Sequence, residues 1–139
     1  MEREELCRII ERRMQALPGK IAVVARNPDT GEEFAWNGDQ LFTPASTIKL
    51  PILCAAYYWA EKGVLSLERR IMVREKDRVG GNGVLFEFAE GLEPKLRDLM
   101  TLMIVVSDNM ATNLVMEAVG AGRIKGFLEK KGLGVIRAE

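Results

Sequence analysis

Thr43-Pro44-Ala45-Ser46-Thr47-Ile48-Lys49 constrains this chain more than any other stretch. A proline that halts what precedes it is followed at once by an apolar run, Leu50 to Ala60, of helix length. Proline fixes φ and belongs just ahead of a helix or in its first turn. The spacing therefore predicts a helix from Ser46 to about Lys62, ended by Gly63. Pro51 falls inside that span and is expected to forfeit one backbone bond, with a slight kink. Ser46 then stands at the helix N-terminus, where N–H groups are unpaired and the dipole end is positive. Lys49, three residues on, shares its face. A hydroxyl and an amine held within mutual reach at a positive helix end are one way to activate a serine without histidine. Such an amine takes a proton only when neutral, and a fold neutralises an amine by burying it beside cationic or dipolar groups. Alone, the same residues also fit a serine cap and an exposed lysine on a core helix, the commoner use of so short a pattern.

Histidine is absent from the sequence. That excludes a Ser-His-Asp triad, a Cys-His pair and every His-ligated metal site, and leaves acid–base work to Lys, Asp, Glu, Tyr or Cys. No metal and no cofactor is expected. Lys and Arg number 20 against 20 Asp and Glu, a balance that argues against a nucleic-acid or anionic-membrane partner. No apolar run reaches membrane-spanning length. Met1-Glu2-Arg3-Glu4-Glu5 has the wrong sign and polarity for a signal peptide. Cys7 and Cys54 fall at apolar helical positions and read as core residues, not as a disulfide framework. The 139 residues suffice for one real core.

Leu6, Ile9, Ile10, Met14 and Leu17 repeat at helical spacing and predict an amphipathic helix over residues 3–17, stopped by Pro18-Gly19. Ile21 to Ala25 is an apolar run of strand length. Asn27-Pro28-Asp29-Thr30-Gly31 is dense in turn formers, and residues 32–36 alternate weakly before Asn37-Gly38. Helix, strand, turn, strand implies a β-hairpin with one face covered by a helix. Ile71 to Val73 reads as a short strand, and residues 74–83, ending Gly80-Gly81-Asn82-Gly83, as a surface loop. No Gly-Lys-Ser/Thr follows those glycines, so a phosphate loop is rejected. Val84 to Phe88 fits one or two helical turns. Pro94 opens another helix, with Leu96, Leu99, Met100, Met103 and Ile104 as its buried stripe.

At the end of that helix stands Ser107-Asp108-Asn109, and Met110 to Val119 resumes the helical pattern. Alone, these residues read as a helix–helix junction with an Asp or Asn cap. The pair of motifs says more. With three Ser, eight Lys, five Asp and five Asn in the chain, independent placement yields S-x-x-K roughly 0.17 times and S-D-N roughly 0.004 times.

On these residues the chain resembles the class A β-lactamases and their penicillin-binding relatives, which carry S-x-x-K, S-D-N and K-T-G. Asn27-Pro28-Asp29-Thr30-Gly31, Phe42 to Ser46, Leu96-Arg97-Asp98-Leu99-Met100 and Asn113-Leu114 add to the likeness. The resemblance implies a mostly helical α+β fold: residues 1–42 form a helix plus hairpin belonging to an α/β domain, and residues 43–139 a helical domain. It implies that Ser46 is the nucleophile of an acyl-enzyme, Lys49 its proton partner or electrostatic support, and Ser107 a proton relay to the leaving nitrogen. Asn109 would bind the substrate's side-chain amide and Lys49, Asp108 would fix the turn, and Asn113 would tether an Ω loop. The implied substrate is a β-lactam or an acyl-D-Ala-type small molecule, and the implied location periplasmic or extracellular. A D,D-peptidase or esterase on the same scaffold, and a non-catalytic fragment or assembly subunit, are the alternatives.

The departures are as informative. K-T-G is absent: Lys130-Lys131-Gly132 and Glu61-Lys62-Gly63 are not its equivalents. The family's Ω-loop glutamate belongs shortly after Arg137, and Glu139 comes too early to be equated with it. No aromatic gate stands in the Gly80 to Gly83 loop. The sequence thus reads as the N-terminal half of a serine hydrolase, partnered by a complementing C-terminal-half chain or by itself through the Ile21 to Ala25 edge. Leu6, Ile9, Ile10 and Val23 are expected to form an exposed apolar patch in the half alone.

Overall fold

The structure is a computed structural model that describes residues 3–136. Arg137 to Glu139, and with them the sequence argument about Glu139, lie outside the described residues. Two compact units divide between Thr43 and Pro44.

The first unit holds α1 (Arg3–Ala16), β1 (Val23–Arg26) and β2 (Glu33–Trp36). The helix stops one residue earlier than its apolar period, because Leu17 sits in the turn leading to Gly19 at φ +97°. β1 and β2 pair antiparallel, with Val23 opposite Trp36 and Arg26 opposite Glu33. The turn between them is built by Asn27, whose Oδ1 accepts from Asp29 N at 2.9 Å while its carbonyl accepts from Gly31 N at 2.9 Å. Asn37 closes the hairpin in a left-handed conformation, φ +51°, and its Nδ2 donates to Ile21 O at 3.0 Å. Leu6 and Ile9 are exposed, as expected, whereas Ile10 and Val23 are half-buried. An open groove of about 480 Å³ runs between Leu6, Cys7 and Ile10 on the helix and Val23, Ala25 and Phe34 on the hairpin.

The second unit is helical: α2 (Lys49–Glu61), α3 (Leu96–Val105), α4 (Asn109–Val119) and α5 (Ala121–Lys130). Its core joins Ile52, Ala55 and Ala56 of α2 to Leu96, Leu99, Met100 and Met103 of α3, with Leu114, Val115 and Val119 of α4. Ile124, Phe127 and Leu128 of α5 close one side, and Val73 and Leu85 are supplied by the intervening loops.

Several sequence expectations change here. Ser46 does not open an α-helix; residues Ala45–Ile48 form a 3₁₀ turn and α2 begins at Lys49. Pro51 is therefore the third residue of α2, in its first turn, where the fixed φ of proline is accommodated. Ile71 to Val73 is not a strand. It is tied by Ile71 N to Pro94 O at 2.9 Å and Val73 N to Leu92 O at 2.8 Å, beside an isolated bridge between Arg70 and Lys95. Ile104 is 43% exposed, because Leu96, Leu99, Met100 and Met103 already complete the buried stripe. Neither cysteine is core: Cys54 is exposed and Cys7 half-buried. α2 is apolar nearly all round, so its sequence period could not choose the face that turned inward. Helix α5 was not anticipated; Gly122 and Gly126 weaken the helical signal around Ile124, Phe127 and Leu128.

Candidate active site

The site is assembled where the start of α2 meets the junction of α3 and α4. In a 3₁₀ turn residues i and i+3 eclipse one another, so Ser46 and Lys49 stand one above the other. Lys49 Nζ lies 3.3 Å from Ser46 Oγ. Across from them, Ser107 occupies the left-handed region at φ +54°, which costs a non-glycine residue on the order of 1–2 kcal/mol. In that conformation it turns both of its oxygens on the amine: Lys49 Nζ donates to Ser107 O at 2.6 Å and to Ser107 Oγ at 2.7 Å. Ser107 Oγ is also 2.9 Å from Ser46 Oγ. Asn109 Oδ1 accepts from Lys49 Nζ at 3.0 Å. Three groups capable of proton transfer thus form a closed triangle, and the Asn109 amide oxygen holds its amine corner from outside. Ala45, immediately before Ser46, also has positive φ, +45°. Of the non-glycine residues in this strained region among the described residues, two stand at the site and the third is the hairpin's Asn37.

Burial separates the roles. Ser46 is exposed, Ser107 and Asn109 are half-buried, and Lys49 is 5% exposed. A buried amine is tolerable only with its hydrogens satisfied, and the four oxygens above do this without any carboxylate.

Asp108, fully buried, stiffens the junction. Its carboxylate accepts from Ala111 N at 2.8 Å, capping α4, and from Val84 N at 2.7 Å and Leu85 N at 2.8 Å. It therefore ties α4 to the loop after the Gly80 to Gly83 segment. That segment is more than the surface loop its composition implied: Asn82 O accepts from Asn109 N at 2.9 Å, and Gly80 O from Asn109 Nδ2 at 3.4 Å. Asn113 lies one turn into α4, exposed, its side chain without a partner among the described residues. Ser46, Lys49, Ser107 and Asn109 are thus brought together, Asp108 stands behind them, and Asn113 stands apart. Among the described residues no three Cys, Asp or Glu lie close enough to hold a metal ion, and no helix is long and apolar enough to cross a membrane.

Residues 4–139 match the model of a β-lactamase enzyme family. Solved structures align over nearly all of the chain. A β-lactamase from Sphaerobacter thermophilus is 34% identical with a TM-score of 0.86, over 96% of this chain and 50% of its own. PBP-A is 28% identical with a TM-score of 0.90, over 97% and 52%. An ancestral class A β-lactamase is 29% identical with a TM-score of 0.81, over 98% and 51%. The fold is therefore that of the class A β-lactamases, and the chain spans about half the length of the solved structures it matches.

Proposed function

This chain belongs to the β-lactamase enzyme family, and from that premise we propose that it carries the acylating half of a serine hydrolase acting on β-lactams. The observation that carries the reading is the triangle of Ser46 Oγ, Lys49 Nζ and Ser107 Oγ, with sides of 3.3, 2.7 and 2.9 Å. All three sides lie within the reach expected of a nucleophile and its proton partners before substrate binds. Ser46 Oγ attacks the lactam carbonyl carbon, forming an ester bond. The ring C–N bond breaks, and the Ser46 proton passes through Lys49 and Ser107 to the departing nitrogen. Asn109 is positioned to serve two tasks, holding the amine through Oδ1 and offering its amide to the substrate's side chain. The N–H of Ser46 supplies one oxyanion donor.

A second reading, a penicillin-binding D,D-peptidase, is favoured by one comparison: a variant of PBP-A is solved as an acyl-enzyme complex with penicillin G. Both readings share the first chemical step.

The remaining half of the fold, on further residues of the same protein or on a complementing chain, covers the groove between α1 and the hairpin and pairs with the outer edge of β1. Two observations support this: the chain covers about half of its relatives, and among the described residues β1 has a neighbouring strand on one side alone. The chain alone should therefore acylate slowly and stoichiometrically. Loss of one oxyanion donor costs about 2.7–4 kcal/mol of transition-state stabilisation, and K-T-G does not occur within these 139 residues. Incubation with a penicillin followed by intact mass measurement tests the reading. A single adduct, absent from Ser46→Ala, is expected. Repeated turnover by the chain alone, or an adduct that survives Ser46→Ala, would overturn it. Sedimentation should show self-association until the complementing half is added; a well-behaved monomer without a partner would refute the assembly.

A further inference from the structure

The glycines of the Gly80 to Gly83 loop are not alike. At Gly80 a Cβ would meet nothing within 4 Å. At Gly81, φ +102°, it would lie 2.4 Å from Asn109 Nδ2. At Gly83, φ +137°, it would lie 2.4 Å from Asp108 Cγ. Two of the glycines are therefore pressed against the two residues that follow Ser107, and in both cases backbone conformation and space exclude a side chain.

Asn109 has a particular problem that this contact solves. Its amide must face Lys49 with oxygen, because a lysine amine is first of all a donor and would repel the NH₂ end. The NH₂ end then points the other way and needs an acceptor of its own. Gly80 O provides it, over the bare Cα of Gly81. The backbone anchor from Asn109 N to Asn82 O fixes the same register.

We propose that Gly81 is a positioning residue of the site, acting through Asn109: its missing side chain lets the Gly80 carbonyl set the amide so that Oδ1 stays on Lys49. The proposal rests on the acyl-transfer reading above for its kinetic consequence, and on geometry alone for its structural one. With Ala at position 81, Nδ2 must retreat by about 1 Å, and a displacement of that size at a reacting group costs on the order of 100-fold in rate.

The test compares glycine variants of the full chain. Gly81→Ala should lower the maximum rate of Ser46 acylation by a penicillin about 10- to 100-fold, and Gly126→Ala, on α5 with open space at its Cβ, should leave it within about twofold. In an Asn109→Ala background, Gly81→Ala should change the rate by less than about twofold, because the residue through which it acts is gone. Native-like rates in Gly81→Ala, or the same loss with and without Asn109, would overturn the proposal. A second arm needs neither acylation nor a glycine variant. In the native chain, the Asn109 side-chain NH₂ signals, identified by their loss in Asn109→Ala, should exchange with solvent more slowly than those of unpartnered Asn113. Equal exchange rates would overturn the proposal. If native Ser46 takes no penicillin at all, the acyl-transfer reading fails and the exchange arm still decides this one.

Discussion

The two units bury their surface to different depths. Every buried side chain among the described residues lies in the unit from Pro44 onward; the unit ending at Thr43 has none. Both carry correct apolar periods. In the helical unit, the stripes of α2 to α5 meet one another, so Leu96, Leu99 and Met103 fall to zero exposure. In the hairpin unit one helix faces two short strands, and Leu6 remains 42% exposed and Val24 57%. A period fixes which face of an element seeks cover. Whether cover exists depends on how many such faces the chain brings together, and two strands with one helix are too few for an independent core.

The polar anchors of the two units should separate them most. Asp108→Ala strands three backbone donors, two of them from a different loop. At about 1–3 kcal/mol for each donor left unpaired, the helical unit should lose upwards of about 3 kcal/mol. Asn37→Ala removes one exposed bond to Ile21 O and should cost less than about 1 kcal/mol, even though it also disturbs a left-handed residue. Urea unfolding midpoints measure both. Equal losses would mean that the hairpin anchor is as deeply held as the junction.

Core truncations sharpen the same contrast at a lower amplitude. Leu99→Ala should cost about 2–5 kcal/mol, the range for fully buried leucines. Leu6→Ala should stay below about 1 kcal/mol in the chain alone. Adding the complementing half should raise the second figure and leave the first unchanged. Hydrogen exchange reads the difference without mutation: amides of Val23–Arg26 should exchange well before those of Leu96–Val105.

The same contrast explains what the sequence made legible. The α3 stripe and the two short motifs could be read because each depends on local spacing: a three-residue offset from Ser46 to Lys49, three in a row at Ser107. Distances across the chain followed only from the resemblance those motifs carry. What could not be read depends on tertiary choice. α2 is apolar on all sides, so Cys54 could not be seen to face outward. Ile104 fits the α3 period and lost its place to a stripe already full. The 3₁₀ start of α2, which brings Ser46 and Lys49 into register, is a one-turn difference below the resolution of a periodicity. Gly81 and Gly83 looked like ordinary loop glycines; their role appears only when Asn109 and Asp108 are seen against them.

The smallest effect concerns the outer margin of the helical unit, where α2 and α5 meet in an open groove lined by Tyr57, Tyr58, Leu67 and Phe127. Lys130 Nζ donates to Tyr58 Oη at 2.7 Å, and this bond holds the Tyr58 phenol below its ordinary value against the opposing effect of burial, with lesser help from the nearby charges of Lys130, Lys62 and Lys131. The sign follows from linkage. A phenol whose folded pKa is depressed adds stability above its unfolded pKa, near 10, and loses it as pH falls through the folded one. The gain therefore lies on the alkaline side. The chain's two tyrosines are adjacent, so Tyr57→Phe leaves a single phenol whose ultraviolet titration reports Tyr58. Lys130→Met in that background should raise the midpoint back toward 10. Added salt should raise it only in part, because it screens the distant lysines more than a direct hydrogen bond. An unchanged midpoint in Lys130→Met would show that α5 does not hold its last turn against α2 in solution. The outer margin of the helical unit would then be as loosely held as the hairpin, and the contrast between the two units would retreat to the buried core and the Asp108 junction.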